Sequence, residues 1–410
     1  MTCTTTSPNG VKVSRFTTSR GWDEYTIMVG NVAGCSIEEA CETLHSRYRE
    51  ALDEHGLSTT TQLFTRLHVS DIANQKNAIK NSRLYSILDH GAVSMIEQAP
   101  VYDGPISLHT YHVVPGGGHP KPVHPRYENA WGRLPPKALV PLNHDPLHWR
   151  NGSLVEGATY RMLWLANYDG RGRFDGAAQT KDAFDVMATQ LGSHEMTLRQ
   201  NTVRTWIYVR DIDNHYRDMV RSRLELFEQI GLTDQTRYIA STGIEGKGKE
   251  TSSLVSADSL SIGGLKEKQI VPMEAPDNMP PTIRYGVTFE RGLRVRFGDR
   301  SHLYVSGTAS IDRDGAVMHV GDARLQAKRS LDNVSALLAP QDACLGDLQY
   351  LYIYVRDPAS CDAIRSVVEQ RVPECVPVVY LRGAVCRPEW LVEMEGEARI
   401  PDSAEFPCFL

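Results

Sequence analysis

Glu393 and Glu395 stand two residues apart in LVEMEGEA, the run from Leu391 to Ala398. Side chains two apart in a strand point the same way, so both carboxyls belong to one face. Val392 and Met394 frame Glu393 with apolar neighbours, as a core strand would. A carboxyl held there loses solvation and its pKa rises, which fits it for general acid or base work near neutrality. The same spacing also suits the solvated outer face of an amphipathic strand, where the acids would do no chemistry. The stretch from Val378 to Ala398 as a whole reads as strand, sharp polar turn and strand.

Two arginines could hold an anion near such an acid. Arg204 alternates with Trp206 and Tyr208 along RTWIYV, so the three share a face that serves either a ligand or interface packing. Arg291 lies in YGVTFERG, where Gly286 and Gly292 bracket Phe289 and the arginine. That is ordinary turn composition, and equally a site where a guanidinium could clamp a carboxylate.

Other chemistries find less support. His119, His124, His144 and His148 fall in a connector rich in Gly, Pro and His. The spacing of His144 and His148 would need a helix to bring both to one face, and the proline density denies it one, so no metal site is expected. GIEGKGK, from Gly243 to Lys249, imitates a phosphate-binding loop, but Glu250 occupies the place of the Ser or Thr that holds magnesium. Neither a GxSxG elbow nor an HExxH helix occurs, and no cofactor is expected. The eight cysteines form no CxxC pair, which suits free thiols in a reducing compartment.

The elements that must position these groups follow from an internal repeat. FTRLHVSD, RTWIYVRD and YLYIYVRD are alternating strands ending in Val69-Ser-Asp71, Val209-Arg-Asp211 and Val355-Arg-Asp357, with each Asp placed to cap a following helix. A long amphipathic helix precedes each, a short apolar strand precedes that helix, and a second helix and a strand pair follow. The fold expected is α+β, with three tandem units: 15–115, 158–265 and 297–400, separated by the connector 116–157 and a linker 266–296. Within the repeat the position of Glu393 falls near Leu108 or His109 in the first unit and near Ser256 in the second, so the third unit alone carries an acid there. With 410 residues, 41% hydrophobic and 23% charged, the composition is globular and leaves room for several domains. A net charge of -6 without a basic block argues against nucleic acid, and no apolar run is long enough to span a membrane. A polar N-terminal stretch adds the expectation of a cytoplasmic protein with a small-molecule partner.

These pieces resemble the RidA/YjgF superfamily: HLYVSGTASID as an opening strand, AKRSLDNVSALL as a helix, LYIYVRD as a strand, and LVEMEGEA with a catalytic-type acid at Glu393. Residues 200–398 are more specifically similar to the chorismatase branch, through RTWIYVRDIDNHY, the Thr242-Gly-Ile244 triplet, Tyr285-Gly286, SGTASI from Ser306 and CRPEWLVEMEG from Cys386. The resemblance implies a chorismate-mutase-like fold that assembles as trimers with sites between neighbours. Three units in one chain would then close an intramolecular pseudo-trimer, so a monomer or weak dimer is expected. The arginine that holds the substrate in ordinary RidA imine deaminases would fall near Val378, which departs from that pattern.

The implied function is a biosynthetic enzyme that protonates and hydrolyses an enol ether or related unsaturated carboxylate, with Glu393 as the acid. Arg204 and Arg291 would hold carboxylates, Tyr208 and Tyr285 would donate hydroxyls, and the backbone at Gly307 and Thr308 would approach the ligand. Cys386 would be a wall or nucleophile of the pocket, or a core cysteine. An imine or enamine deaminase using the same acid and a non-catalytic ligand-binding or scaffold protein are the alternatives.

Overall fold

The computed structural model describes residues 2–7, 10–30, 34–115, 139–142, 151–170, 175–250 and 252–410. The four connector histidines considered for a metal lie outside these residues. The first unit contains β1 (Thr2–Ser7), β2 (Val11–Phe16), β3 (Trp22–Val29), α1 (Ile37–Glu54), β4 (Gln62–Val69), α2 (Ile72–Lys80), α3 (Arg83–Leu88), β5 (Ala92–Glu97) and β6 (Ile106–Pro115). The second contains β7 (Leu139–Leu142), β8 (Gly152–Glu156), β9 (Arg161–Asp169), α4 (Gly176–Gly192), α5 (Leu198–Asn201), β10 (Thr202–Val209), α6 (Ile212–Ile230), β11 (Ala240–Glu245) and β12 (Val255–Gly263). The third contains β13 (Ile270–Pro272), β14 (Gly292–Arg296), β15 (Arg300–Ala309), α7 (Ala323–Leu338), β16 (Leu348–Val355), α8 (Cys361–Arg371), β17 (Val378–Arg382) and β18 (Val392–Pro401).

Each unit builds one six-stranded sheet in the same order: β1-β2-β3-β6-β4-β5, β7-β8-β9-β12-β10-β11 and β13-β14-β15-β18-β16-β17. The last two strands of each order, such as β16 and β17, run parallel, while all other neighbours are antiparallel. Two strands precede each repeated pattern, so the sheets start earlier than the expected segments: β7 and β8 draw on the connector, and β13 and β14 on the linker. Of these, β7 and β13 are only four and three residues long and carry Pro141 and Pro272, so alternation does not mark them. β17 and β18, read as successive strands, are separated in the sheet by β16.

Local chemistry explains the helix starts. Ser36 and Glu39 form a reciprocal capping box on α1, and Asp71 accepts from the Asn74 N–H to cap α2. Asp357 instead caps the short 3₁₀ turn Pro358–Ser360 ahead of α8. Asp211 departs from the expectation: it sits at φ 50° and its side chain caps no backbone N–H, accepting from the Asn214 amide instead.

The helices cover one face of each sheet, and the other three faces meet around a pseudo-threefold axis. Register makes Arg66, Trp206 and Tyr352 equivalent, since each lies three residues before the Val of its Val-x-Asp. Each reaches the next unit at one equivalent position: Arg66 donates to Asp258 at 2.9 Å, Trp206 Nε1 to Glu395 at 3.0 Å, and Tyr352 pairs with His109. Phe64 and Trp164 stack at 4.4 Å beside them, with Arg66 over the Trp206 ring at 4.6 Å. The interior is thus polar as well as aromatic, and it holds buried charge pairs that cross between units, Arg66 with Asp258 and Arg204 with Glu395.

Candidate active site

β18 is a central strand, and Glu393 lies opposite Ala309 of β15 and Tyr354 of β16. Glu393, Glu395 and Glu397 are 5%, 0% and 3% exposed, so the solvated outer face considered from the sequence is not what this strand presents. The equivalent positions are Ser107, opposite His68, and Ser256, opposite Tyr208. The first unit therefore offers Ser107 rather than Leu108 or His109, and His109 matches Glu395.

A cleft of about 250 Å³ opens at Glu393, between β11 and α6 of the second unit and β15 and β18 of the third. Two glycines make the room. β15 carries a bulge between Val305 and Thr308, which places Gly307 against Glu393; a Cβ on Gly307 would lie 2.3 Å from Oε1. Across the interface Gly243 of β11 lines the cleft. At the junction of units one and two the corresponding residues are Asn167, in the equivalent bulge, and Met95. There the Asn167 side chain accepts from the Met95 N–H at 2.7 Å and closes the gap. At the third junction, Tyr380 stands in place of Gly243 and its carbonyl accepts from the Val101 N–H at 2.9 Å.

Burial pushes the Glu393 pKa up to about 8, with the negative charge of Glu395 adding to the rise and Arg204 and Arg291 opposing it. Its carboxyl is therefore mostly protonated at neutral pH, and it has no hydrogen-bond partner among the described residues. Arg291, 7% exposed, hydrogen-bonds the Pro280 carbonyl through Nε at 3.2 Å and Nη2 at 3.1 Å. Tyr285 lies between two guanidiniums, with Arg291 5.3 Å and Arg387 5.1 Å from its ring centroid. Neither arginine has a carboxylate partner among the described residues. Cys386 lines the cleft and hydrogen-bonds Tyr216 of α6. Burial and the neighbouring Glu393 push its thiol up to about 12, so it is a neutral wall rather than a thiolate.

The structure thus brings together Glu393, Tyr285, Arg291, Gly307 and Cys386. It does not bring Arg204, Tyr208 or Thr308 to the cleft. Arg204, with no exposed surface, pairs with Glu395 and Thr242 behind it. Tyr208 reaches Asp258 in the interior at 3.4 Å, and the Thr308 hydroxyl turns back to the Ser306 carbonyl at 2.8 Å. Val378 is on β17, whose edge faces the first unit; the matching position at this cleft is Ser241 of β11. Sequence reasoning missed Ser241, Tyr216, Arg387 and Trp390. Arg387 and Trp390 were within reach because they occupy the CRPEW motif, whereas Tyr216 and Ser241 belong to the opposite unit and carry no local signal.

The family described as Endoribonuclease L-PSP matches residues 295–400. The chain is 31% identical over 126 residues to the 3-aminoacrylate deaminase RutC of Acinetobacter baylyi, covering 30% of this chain and 94% of that protein. The chain belongs to the RidA/YjgF superfamily, to which these comparisons assign it. Within it, the likeness extends to chorismatases. The 3-hydroxybenzoate synthase of Streptomyces hygroscopicus is 28% identical over 219 residues, which cover 47% of this chain and 62% of that protein. The chain thus spans somewhat under two thirds of that relative's length. A crystal structure of a chorismatase superposes with a TM-score of 0.57 at 19% identity, covering 83% of this chain and 93% of that one, and the fold is shared.

Proposed function

We propose that the protein is a chorismatase-like enzyme that hydrolyses the enol ether of a dicarboxylate such as chorismate at the cleft between its second and third units. The observation that carries this reading is one buried acid, Glu393, its pKa raised by burial, facing a cleft lined by Arg291 and Arg387, neither of which has a carboxylate partner among the described residues. Two guanidiniums suit a substrate with two carboxylates. Glu393 would give its proton to the terminal methylene carbon of the enol ether, and the ether oxygen would share the resulting positive charge as an oxocarbenium ion. The carboxylate left on Glu393 stabilises that cation. Water adds to the cationic carbon and returns a proton to the Glu393 carboxylate, the hemiketal collapses with its hydroxyl proton passing to the departing ring oxygen, and pyruvate is released, so that one water is consumed per bond broken. Tyr285, Trp390 and Cys386 wall the cleft and limit competing water.

The names of the relatives support a small unsaturated carboxylate as substrate. A deaminase acting on 3-aminoacrylate would use the same acid, but that substrate has one carboxylate and leaves the second arginine unused. The test is incubation of the protein with chorismate in one arm and 3-aminoacrylate in the other. Pyruvate release from chorismate supports the proposal; ammonia release from 3-aminoacrylate without chorismate turnover overturns it.

A further inference from the structure

A second cavity, of about 490 Å³, lies where α5 and the turn after α6 in the second unit meet the connection from β12 to β13. It shares no lining residue with the cleft at Glu393. Arg237, 9% exposed, stands in its wall. Its Nη1 donates to the Tyr238 carbonyl at 3.1 Å and the Thr202 carbonyl at 3.4 Å, and its Nη2 to the Arg199 carbonyl at 2.5 Å. Every partner is a backbone oxygen, and none is a carboxylate among the described residues. Burial pulls the Arg237 pKa down to about 10; Glu290 and Glu267 oppose that, and Arg199 adds to it. A guanidinium so placed is a charge only partly compensated by the protein, and an anion in the cavity offsets it.

Three further features define what the cavity takes. Arg199, exposed on α5, has no side-chain partner among the described residues. Its guanidinium rests against Gly231, the left-handed residue that ends α6, where a Cβ would lie 3.1 Å from Nη1. Glu267, exposed on the connection to β13, is likewise unpaired among the described residues, whereas Glu195, the other acid of the lining, is tied to Arg161 at 3.7 Å. Leu232, Leu265 and Ile270 give the lining an aliphatic portion. A dicarboxylate would meet Glu267 and a plain amine would meet two guanidiniums; a zwitterion with a hydrocarbon side chain matches all three features.

We propose that this cavity is a second ligand site, which takes an α-amino acid with an apolar side chain: its carboxylate on Arg199 and Arg237, its ammonium on Glu267, and its side chain against Leu232, Leu265 and Ile270. The site is separate from the cleft and does not rest on the chemistry proposed there. Arg237 also lines a narrower cavity of about 170 Å³, whose wall includes Phe289 and Arg291 of the cleft. The occupant therefore sits one cavity away from Glu393 and touches none of the reacting groups.

The test is isothermal titration calorimetry and thermal melts on the full chain with three probes: L-leucine, 4-methylpentanoate, which lacks the ammonium, and 3-methylbutylamine, which lacks the carboxylate. L-leucine should bind one per chain and raise the melting midpoint, and each analogue should bind about tenfold or more weakly. Arg199→Ala and Glu267→Ala, both at exposed side chains, should fold as the wild type does and should each weaken L-leucine binding about tenfold or more. Arg387→Ala, which alters the cleft, should leave that binding unchanged. The inference is overturned if the wild type does not bind L-leucine, if either analogue binds as tightly, or if binding survives intact in Arg199→Ala and Glu267→Ala. Loss of binding in Arg387→Ala with retention in the other two variants would put the amino acid in the cleft and overturn it too.

Discussion

Replacing Glu393 by Gln keeps the shape of the side chain and removes its transferable proton. Loss of a general acid lowers turnover by about 10²-fold or more, so pyruvate release from chorismate, followed continuously, should fall by at least that. The structure adds a second, opposite consequence. The displacement of the Glu393 pKa from 4.5 to about 8 corresponds to roughly 5 kcal/mol at ~1.4 kcal/mol per unit. Between those two values the unfolded chain has lost the proton and the folded protein keeps it. Wild-type stability therefore falls as pH rises from about 4.5 to about 8, and levels off above. Gln cannot ionise, so the variant should match the wild type in mild acid and exceed it in mild base by a few kcal/mol. Denaturant unfolding at both ends of that window measures the difference. Near-full activity of the variant, or stability curves that run parallel across the window, would refute the assignment of a buried, proton-bearing Glu393.

Four further outcomes follow from the same geometry. Gly307→Ala places a methyl 2.3 Å from Glu393 Oε1, so the acid must shift; the fold should survive in circular dichroism while turnover drops at least tenfold, a barrier change of about 1.4 kcal/mol. Arg387→Ala and Arg291→Ala should each raise the KM for chorismate by about tenfold or more, measured in initial-rate kinetics. Glu395→Gln removes the neighbouring charge that helps hold the Glu393 proton, so the alkaline limb of the pH–rate profile should move below about 8. Light scattering at low micromolar concentration should give a monomer or weak dimer, because the three sheets already meet one another within the chain; an obligate homotrimer would contradict this.

The repeated unit was legible because the three Val-x-Asp strands and the helices around them obey strong local rules. Glu393 was legible because an acid between Val392 and Met394 occurs in one copy only. Arg204 illustrates what was not. Its place on a strand face beside Trp206 and Tyr208 was read correctly, but its partner Glu395 lies 191 positions away, and only the ring of units brings the two together. The same holds for the open cleft, which Gly243 and Gly307 line from different units. No periodicity within one unit reports that meeting, and the Asn167–Met95 contact that shuts the first junction is equally remote in sequence.

The most direct test of the central claim is the crystal structure of Glu393→Gln soaked with chorismate, since the variant should bind the substrate without consuming it. The ligand should lie between β11 and β15, with its carboxylates on Arg291 and Arg387 and its enol-ether methylene against the side chain of residue 393. A ligand bound at either of the other two junctions, or one in this cleft with its enol ether turned away from residue 393, would contradict it.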